Sequence, residues 1–99
     1  MELGVFNLNN WISLEDLVKT KIEDFSVEED KTYTLSSLGV GEVYAANCEV
    51  IPSDKDIVGD YIPSNGFVYE YTKQKDSKET LFLKSIGEGI VRIIKLENE

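Results

Sequence analysis

Apolar and polar residues alternate along the last third of the chain, between residues 66 and 96. Phe67, Tyr69 and Tyr71 occupy every second position, and a β-strand places such positions on one face. The polar run that follows has no residue suited to a core, and a later Gly-Glu-Gly segment has the glycines that tight turns favour. The pattern therefore predicts three antiparallel strands joined in sequence as a meander.

The last of these predicted strands, residues 90–96, is apolar at both odd and even positions. Strands of this kind are more often covered on both faces than left with one face in water. We therefore expect a second layer over this strand, supplied by an earlier segment of the chain or by another subunit.

One segment before the meander has the period of an amphipathic helix. Ser13 and Asp16 resemble a capping box, in which side-chain oxygens accept hydrogen bonds from the free N–H groups of the first turn. The spacing predicts a helix near residues 14–24 that lies on the sheet. Its apolar face comprises Leu14, Leu17, Val18, Ile22 and Phe25.

Two strands and a long irregular segment are predicted between the helix and the meander. Residues 32–38 and 42–51 have strand composition, and Pro52 ends the second strand because proline lacks the N–H that a sheet requires. Residues 52–65 are rich in turn formers, so we expect a long excursion there with one short strand near residues 57–62.

These elements predict one domain over residues 1–99, with residues 1–12 as an extended N-terminal arm. The arm is too apolar to remain loose, so we expect it to dock on the domain or on a neighbouring chain. The predicted fold class is mainly β, or α+β. It is an antiparallel β-sandwich or sheet of five to six strands, with one helix near residues 14–24.

The charge of the chain is negative and unevenly distributed. Residues 1–60 hold 13 acidic and 4 basic side chains, a net charge of −9, whereas residues 61–99 hold six of each. This balance argues against direct binding to nucleic acid through a basic surface. An acidic surface could instead meet a basic partner or imitate nucleic acid.

The residue types present exclude several kinds of chemistry. The chain has no histidine and one cysteine, which excludes Ser-His-Asp and Cys-His catalysis and the common zinc sites within it. Residues 54–60 partly match a calcium loop, but Val58 stands where an oxygen ligand is needed, and the twelfth position is Asn65 in place of the bidentate Glu. No apolar run is long enough to span a membrane as a helix. We predict no enzyme activity, no catalytic residue, no cofactor, no metal and no membrane contact.

Three stretches resemble a known group of proteins: Tyr44–Asn47, Pro63–Tyr71 and Thr80–Ser85. Together they are similar to small β-rich domains of bacteriophage tails and of tail or head fibres, including knob-like domains. The resemblance covers about residues 32–96. It implies a non-enzymatic virion component, commonly a homotrimer or ring member, assembled in the host cytoplasm. Its partners would be other virion proteins or further copies of itself.

Two other functions fit parts of the sequence. A small acidic inhibitor could imitate nucleic acid through carboxylates spaced like phosphates, and a carbohydrate-binding module could stack sugars on exposed tyrosines. For the structural function, we predict an interface formed by apolar residues of the arm, the excursion and the last strand. The predicted interface residues are Val5, Phe6, Leu8, Trp11, Ile57, Tyr61, Ile93 and Ile94.

Overall fold

A computed structural model describes residues 1–97, which form eight strands and one short helix. All strand pairs are antiparallel, and the chain is mainly β, as predicted. The elements are β1 (Glu2–Leu8), β2 (Ile12–Ser13), α1 (Leu14–Lys19), β3 (Thr32–Ser37), β4 (Glu42–Cys48), β5 (Asp60–Ile62), β6 (Tyr69–Thr72), β7 (Thr80–Ile86) and β8 (Gly89–Lys95).

The strands form two four-stranded sheets that share one core. The first sheet has the order β1-β8-β3-β6 and the second has the order β2-β7-β4-β5. Strands of both sheets contribute to the same cluster of buried side chains, together with α1. Eight strands are present where five to six were expected, because the arm supplies β1 and β2, and because β2 and β5 are only two and three residues long.

The predicted meander is wrong. β6 pairs with β3, β7 pairs with β2 and β4, and β8 pairs with β1 and β3, so no two of the last three strands are hydrogen-bonded neighbours. Gly87, at φ +76°, lies in the turn that leads from the second sheet back to the first. The alternation in the sequence shows which side chains face the core. It does not show which strand lies beside which, because that depends on contacts distant in the sequence.

The helix α1 begins as predicted and ends early. The Ser13 hydroxyl oxygen accepts a hydrogen bond from the Asp16 N–H at 3.1 Å, and Leu14 and Leu17 are buried. Thr20 follows the last helical residue, and its hydroxyl donates to the Leu17 carbonyl at 2.7 Å. Such bonding to the backbone, together with the β-branch, makes threonine a weak helix former. Consequently Ile22, predicted to face the core, is exposed.

The N-terminal segment is an integral part of both sheets. β1 is the edge strand of the first sheet and pairs with β8 of the same chain, while β2 pairs with β7 in the second sheet. Residues 1–13 therefore connect the two layers along one side of the molecule. The segment docks on its own domain, which is one of the two expected outcomes.

Within this single chain the strand buried on both faces is β7, whereas β8 is buried on one face. Coverage of β8 by an earlier segment is therefore wrong, and coverage by another subunit stays a prediction. In β7 every residue from Leu81 to Ser85 is buried. In β8 the outer face has an exposed Arg92 and the half-buried Ile90 and Ile94, and no element within residues 1–97 covers it. The layer over β7 is irregular: residues 52–59 lie across the outer face of the second sheet.

Candidate interaction surface

Exposed apolar side chains are concentrated in one part of the chain. Seven of the thirteen exposed large hydrophobic residues lie between residues 50 and 68. This stretch contains β5, the edge strand of the second sheet, and leads directly to β6, the edge strand of the first. We name the seven residues the β5–β6 edge surface: Val50, Ile51, Ile57, Val58, Tyr61, Phe67 and Val68.

Two hydrogen bonds to backbone carbonyls hold the loop before β5 in place. The indole N–H of Trp11 donates to the carbonyl oxygen of Asp56 at 3.1 Å, and the Lys84 ammonium donates to the carbonyl oxygen of Asp54. Trp11 packs with Ala46 and Phe82 in a second, smaller cluster on the outer face of the sheet. These bonds fix the loop backbone to the buried side chains of Trp11 and Lys84, and this orders the exposed side chains of the loop.

Gly59 allows the chain to turn from this loop into β5. Its φ is +87°, and a Cβ added there would overlap the carbonyl oxygen of Ala45 and lie 2.9 Å from the Ala46 Cα. Only glycine combines this backbone conformation with so close an approach to another strand. The close approach positions Ile57 and Val58, just before Gly59, at the start of the edge strand.

Tyr61 of the edge surface packs against a second tyrosine. Tyr61 of β5 and Tyr44 of β4 are cross-strand partners, and their ring centroids are 5.5 Å apart at an interplanar angle of 46°. Burial raises the pKa of Tyr44, and the charge of Glu42 adds to the effect. Tyr61 is 50% exposed, so one ring of the pair is open to a ligand or partner.

The two edge strands are joined by a single hydrogen bond. The Tyr69 hydroxyl of β6 donates to Asp60 Oδ2 of β5 at 3.1 Å. Burial raises the pKa of Tyr69 to about 12, with the hydrogen bond to Asp60 and its charge as further causes. This bond links the two sheets on the side where the chain crosses from one to the other.

The segment that carries the edge surface is rich in carboxylates. Residues 49–70 hold five acidic side chains and one lysine, a net charge of −4. Apart from Asp60, which accepts the Tyr69 bond, these carboxylates make no hydrogen bond or salt bridge within residues 1–97. The acidic residues are Glu49, Asp54, Asp56, Asp60 and Glu70, and the lysine is Lys55.

Four of the eight predicted interface residues lie inside the folded chain. Phe6, Leu8 and Ile93 are in the shared core, and Trp11 is in the second cluster, each no more than 5% exposed. They stabilise the domain and offer almost no area to a partner. These side chains are buried against apolar groups, as their type predicts, but those groups belong to the same chain and not to a partner.

The other four predicted residues lie on two separate faces. Ile57 and Tyr61 belong to the edge surface. Val5 and Ile94 are half-buried on the outer face of the first sheet, beside the Arg92–Glu2 ion pair at 2.9 Å. The prediction therefore combined residues of one exposed surface with residues of another.

The sequence analysis missed Val50, Ile51, Val58, Phe67 and Val68. Phe67 was assigned to a strand face with Tyr69 and Tyr71, but β6 begins at Tyr69 and Phe67 is exposed. A usable signal was present: these apolar residues fall within a segment rich in Pro, Gly, Asp and Ser. Apolar residues among turn formers are often left in solvent, because irregular backbone remains at the surface.

The carboxylates proposed to imitate phosphates are partly engaged elsewhere. Glu15 accepts a hydrogen bond from the Val27 N–H, and Glu29 accepts one from the Asp76 N–H. Glu28 pairs with Lys95 at 2.9 Å, and that hydrogen bond lowers the pKa of Glu28. These groups hold the loops around the sheet, which leaves fewer carboxylates for a partner.

A cleft beside the start of α1 is the main alternative location for a site. Its volume is about 310 Å³, and its lining includes Glu15, Lys73, Glu79 and Tyr71. Burial raises the pKa of Tyr71, and the charge of Glu79 adds to this. Within residues 1–97, no three His, Cys, Asp or Glu side chains are grouped so that they could hold a metal.

Comparison of the chain with protein-family models, with curated proteins and with solved structures found no match. Among the described residues, no helix has the length and apolar character that crossing a membrane requires. The support for the candidate site therefore comes from the geometry of this chain alone.

Proposed function

We propose that this protein is a non-enzymatic subunit that acts through protein–protein contacts made by the β5–β6 edge surface. The observation that supports this most directly is the concentration of seven exposed large apolar side chains between residues 50 and 68. Scattered exposed apolar residues are ordinary, whereas a continuous group with a polar rim is typical of binding surfaces.

The biological setting follows from the sequence resemblance. We propose a bacteriophage virion component: an adaptor, a tail or head fibre domain, or a decoration subunit. Two antiparallel sheets with ordered edges suit such a role, since neighbouring subunits can pack on them. The outer face of the first sheet, with Val5 and Ile94 half-buried, offers a second contact area for a homo-oligomer.

Site-specific crosslinking tests this proposal. A photo-crosslinking phenylalanine analogue replaces Tyr61 in cells that naturally produce the chain, and particles are then separated on a density gradient. We expect a discrete crosslinked product that sediments with assembled particles. The matched control places the analogue at Val40, which is 99% exposed and lies outside the edge surface.

Two results would overturn the proposal. One is the absence of any discrete product at position 61, with the chain at its monomer mass in every fraction. The other is an identical set of products at positions 61 and 40, which would show contact without a preferred surface.

A second candidate function, carbohydrate binding, is favoured by the Tyr44–Tyr61 pair. Flat aromatic rings stack on the apolar faces of sugars, and the Tyr61 ring is half exposed. A glycan array distinguishes the candidates: binding by the wild-type chain that is lost in Tyr61→Ser favours carbohydrate, and an array without signal removes this function.

A further inference from the structure

We propose that the occupant of the β5–β6 edge surface is a segment of a different protein, with apolar side chains flanked by lysine or arginine, and not a second copy of this chain. This inference rests on the proposed function and specifies its partner. It follows from the shape of the edge, from its charge and from the charge of the whole chain.

The shape of the edge restricts how a partner can bind. β5 pairs with β4 alone, and it is only three residues long, between Gly59 and Pro63. Adding a strand along it would form few backbone hydrogen bonds, and Pro63 has no N–H to contribute. Recognition therefore depends on side chains, above all Tyr61, Ile57 and the residues around them.

The apolar part of the surface favours a partner with matching apolar side chains. Ile57 and Val58 precede the edge strand, Tyr61 lies within it, and Phe67 and Val68 follow it, each between 43% and 50% exposed. Aromatic groups such as tyrosine, at the centre of a contact area, supply much of the binding energy, and apolar groups around them exclude water. A partner segment gains affinity by burying its own apolar side chains against these residues.

The charge around the apolar part selects a basic partner. Residues 49–70 have a net charge of −4, and the whole chain has a net charge of −9. A second copy would bring the same acidic rim against the first, and like charges across an interface are unfavourable. Lysine or arginine on the partner would instead pair with Glu49, Asp54, Asp56 and Glu70.

Selection from a displayed library of random peptides tests the inference. The complete wild-type chain is the bait, and enriched peptides are synthesised and measured by fluorescence polarisation. We expect enriched peptides to combine apolar residues with a net positive charge. We also expect their affinity to fall as sodium chloride is added, because salt screens charge attraction between exposed groups.

Three single substitutions locate the binding site. Tyr61→Ser and Ile57→Ser each remove an exposed apolar group and should weaken binding by about tenfold or more if these residues are central to the contact. Val40→Ser removes an apolar group that is 99% exposed and lies outside the edge surface, and it should leave the affinity unchanged. Trp11 fluorescence checks that each variant keeps the wild-type fold, since Trp11 is buried in the second cluster.

The inference is overturned if no peptide is enriched, if enriched peptides lack positive charge, or if they bind Tyr61→Ser and Ile57→Ser as tightly as the wild type. Light scattering of the purified chain separates this failure from failure of the proposed function. A stable homo-oligomer without peptide binding would leave the proposed function in place and refute only the basic partner. A monomer that also gives no crosslinked product would refute both.

Discussion

Single residues in this protein have roles that their type alone does not predict. Lys84 lies in a strand, yet it is only 7% exposed, with its ammonium on a loop carbonyl. Trp11 resembles an interface anchor in the sequence, yet its indole supports that same loop. Both side chains hydrogen-bond to the backbone of the loop at residues 52–59, which crosses the second sheet. Residue type indicates burial or exposure on average, and the neighbours decide the individual case.

Replacing Gly59 with alanine should destabilise the protein strongly. The positive φ of 87° disfavours a Cβ, and the added atom would also overlap the Ala45 carbonyl. We expect a loss of about 3 kcal/mol or more in the free energy of unfolding, from backbone strain plus steric overlap. Urea denaturation followed by Trp11 fluorescence measures the loss.

Gly66 is the matched control for Gly59. Its φ is +92°, and a Cβ there would meet no atom within 4 Å. Gly66→Ala should therefore cost only about 1 kcal/mol, the strain of the backbone conformation alone. Equal losses for the two variants would show that the close approach of Gly59 to β4 is not a constraint on the fold.

The strands and loops show which parts of the architecture follow from local pattern. The strands β3, β4 and β5 lie close to where the sequence predicts them, because alternation and turn-forming residues act on nearby residues. β4 ends at Cys48, three residues before the predicted end, so Pro52 does not terminate it. The pairing of β6, β7 and β8 differs from the predicted meander, because each of these strands pairs with a strand far away in the sequence. The hydrogen bond from Tyr69 to Asp60 joins an edge strand of each sheet, and its two residues are only nine positions apart in the sequence.

The burial of Tyr69, together with this bond, should make stability depend on pH in the alkaline range. The pKa of Tyr69 is about 12 in the folded chain, against an ordinary value of 10.0. The folded state therefore holds the phenol proton more tightly than the unfolded state does. The resulting stabilisation is complete below pH 10 and is lost as the pH rises through about 12.

Replacing Tyr69 with phenylalanine should reveal the effect. At neutral pH we expect the free energy of unfolding to fall by about 1 kcal/mol, the typical net value of one hydrogen bond. Between pH 10 and 12 the variant should lose less stability than the wild type. Urea denaturation across this range measures both quantities. Tyr61→Phe, which removes an exposed hydroxyl, is the control, and a steeper alkaline loss in Tyr69→Phe than in the wild type would contradict the assignment.

At the scale of the whole molecule, the N-terminal segment decides whether the domain is complete. β1 and β2 belong to different sheets, and residues 1–13 contribute Leu3, Phe6 and Leu8 to the shared core and Trp11 to the second cluster. An appended arm could be removed without loss of the fold. A segment that lies in both layers cannot, because its removal exposes core surface on each sheet.

Deletion of residues 1–13 should therefore abolish cooperative folding. The deletion removes the buried side chains of Leu3, Phe6, Leu8 and Trp11, which contribute about 6–12 kcal/mol. This is comparable with the roughly 5–15 kcal/mol of stability that typical domains possess. Circular dichroism should show no thermal transition in the truncated chain. Adding a synthetic peptide of residues 1–13 should restore at least part of the signal. A truncated chain that unfolds cooperatively would show that these residues are an arm.

Two of the seven residues of the β5–β6 edge surface were predicted from the sequence. Ile57 and Tyr61 were identified because apolar residues within a turn-rich excursion stand out. Phe67 was placed on a strand because it alternates with Tyr69 and Tyr71, which extends the strand pattern two residues before the true start of β6. Trp11, Phe6 and Ile93 were placed at an interface because the sequence does not distinguish an apolar group that packs internally from one that awaits a partner.

The sequence by itself determined the mainly β character of this protein, the start of its helix, the excursion before residue 62 and the acidity of its first part. These properties depend on residue type and short spacing, which local sterics and solvation act on directly. Only the tertiary structure decided which strand is covered on both faces, which apolar residues remain in water and which two edges lie side by side. Those outcomes depend on pairings between distant segments, and each such pairing is selected by the burial that the complete fold achieves.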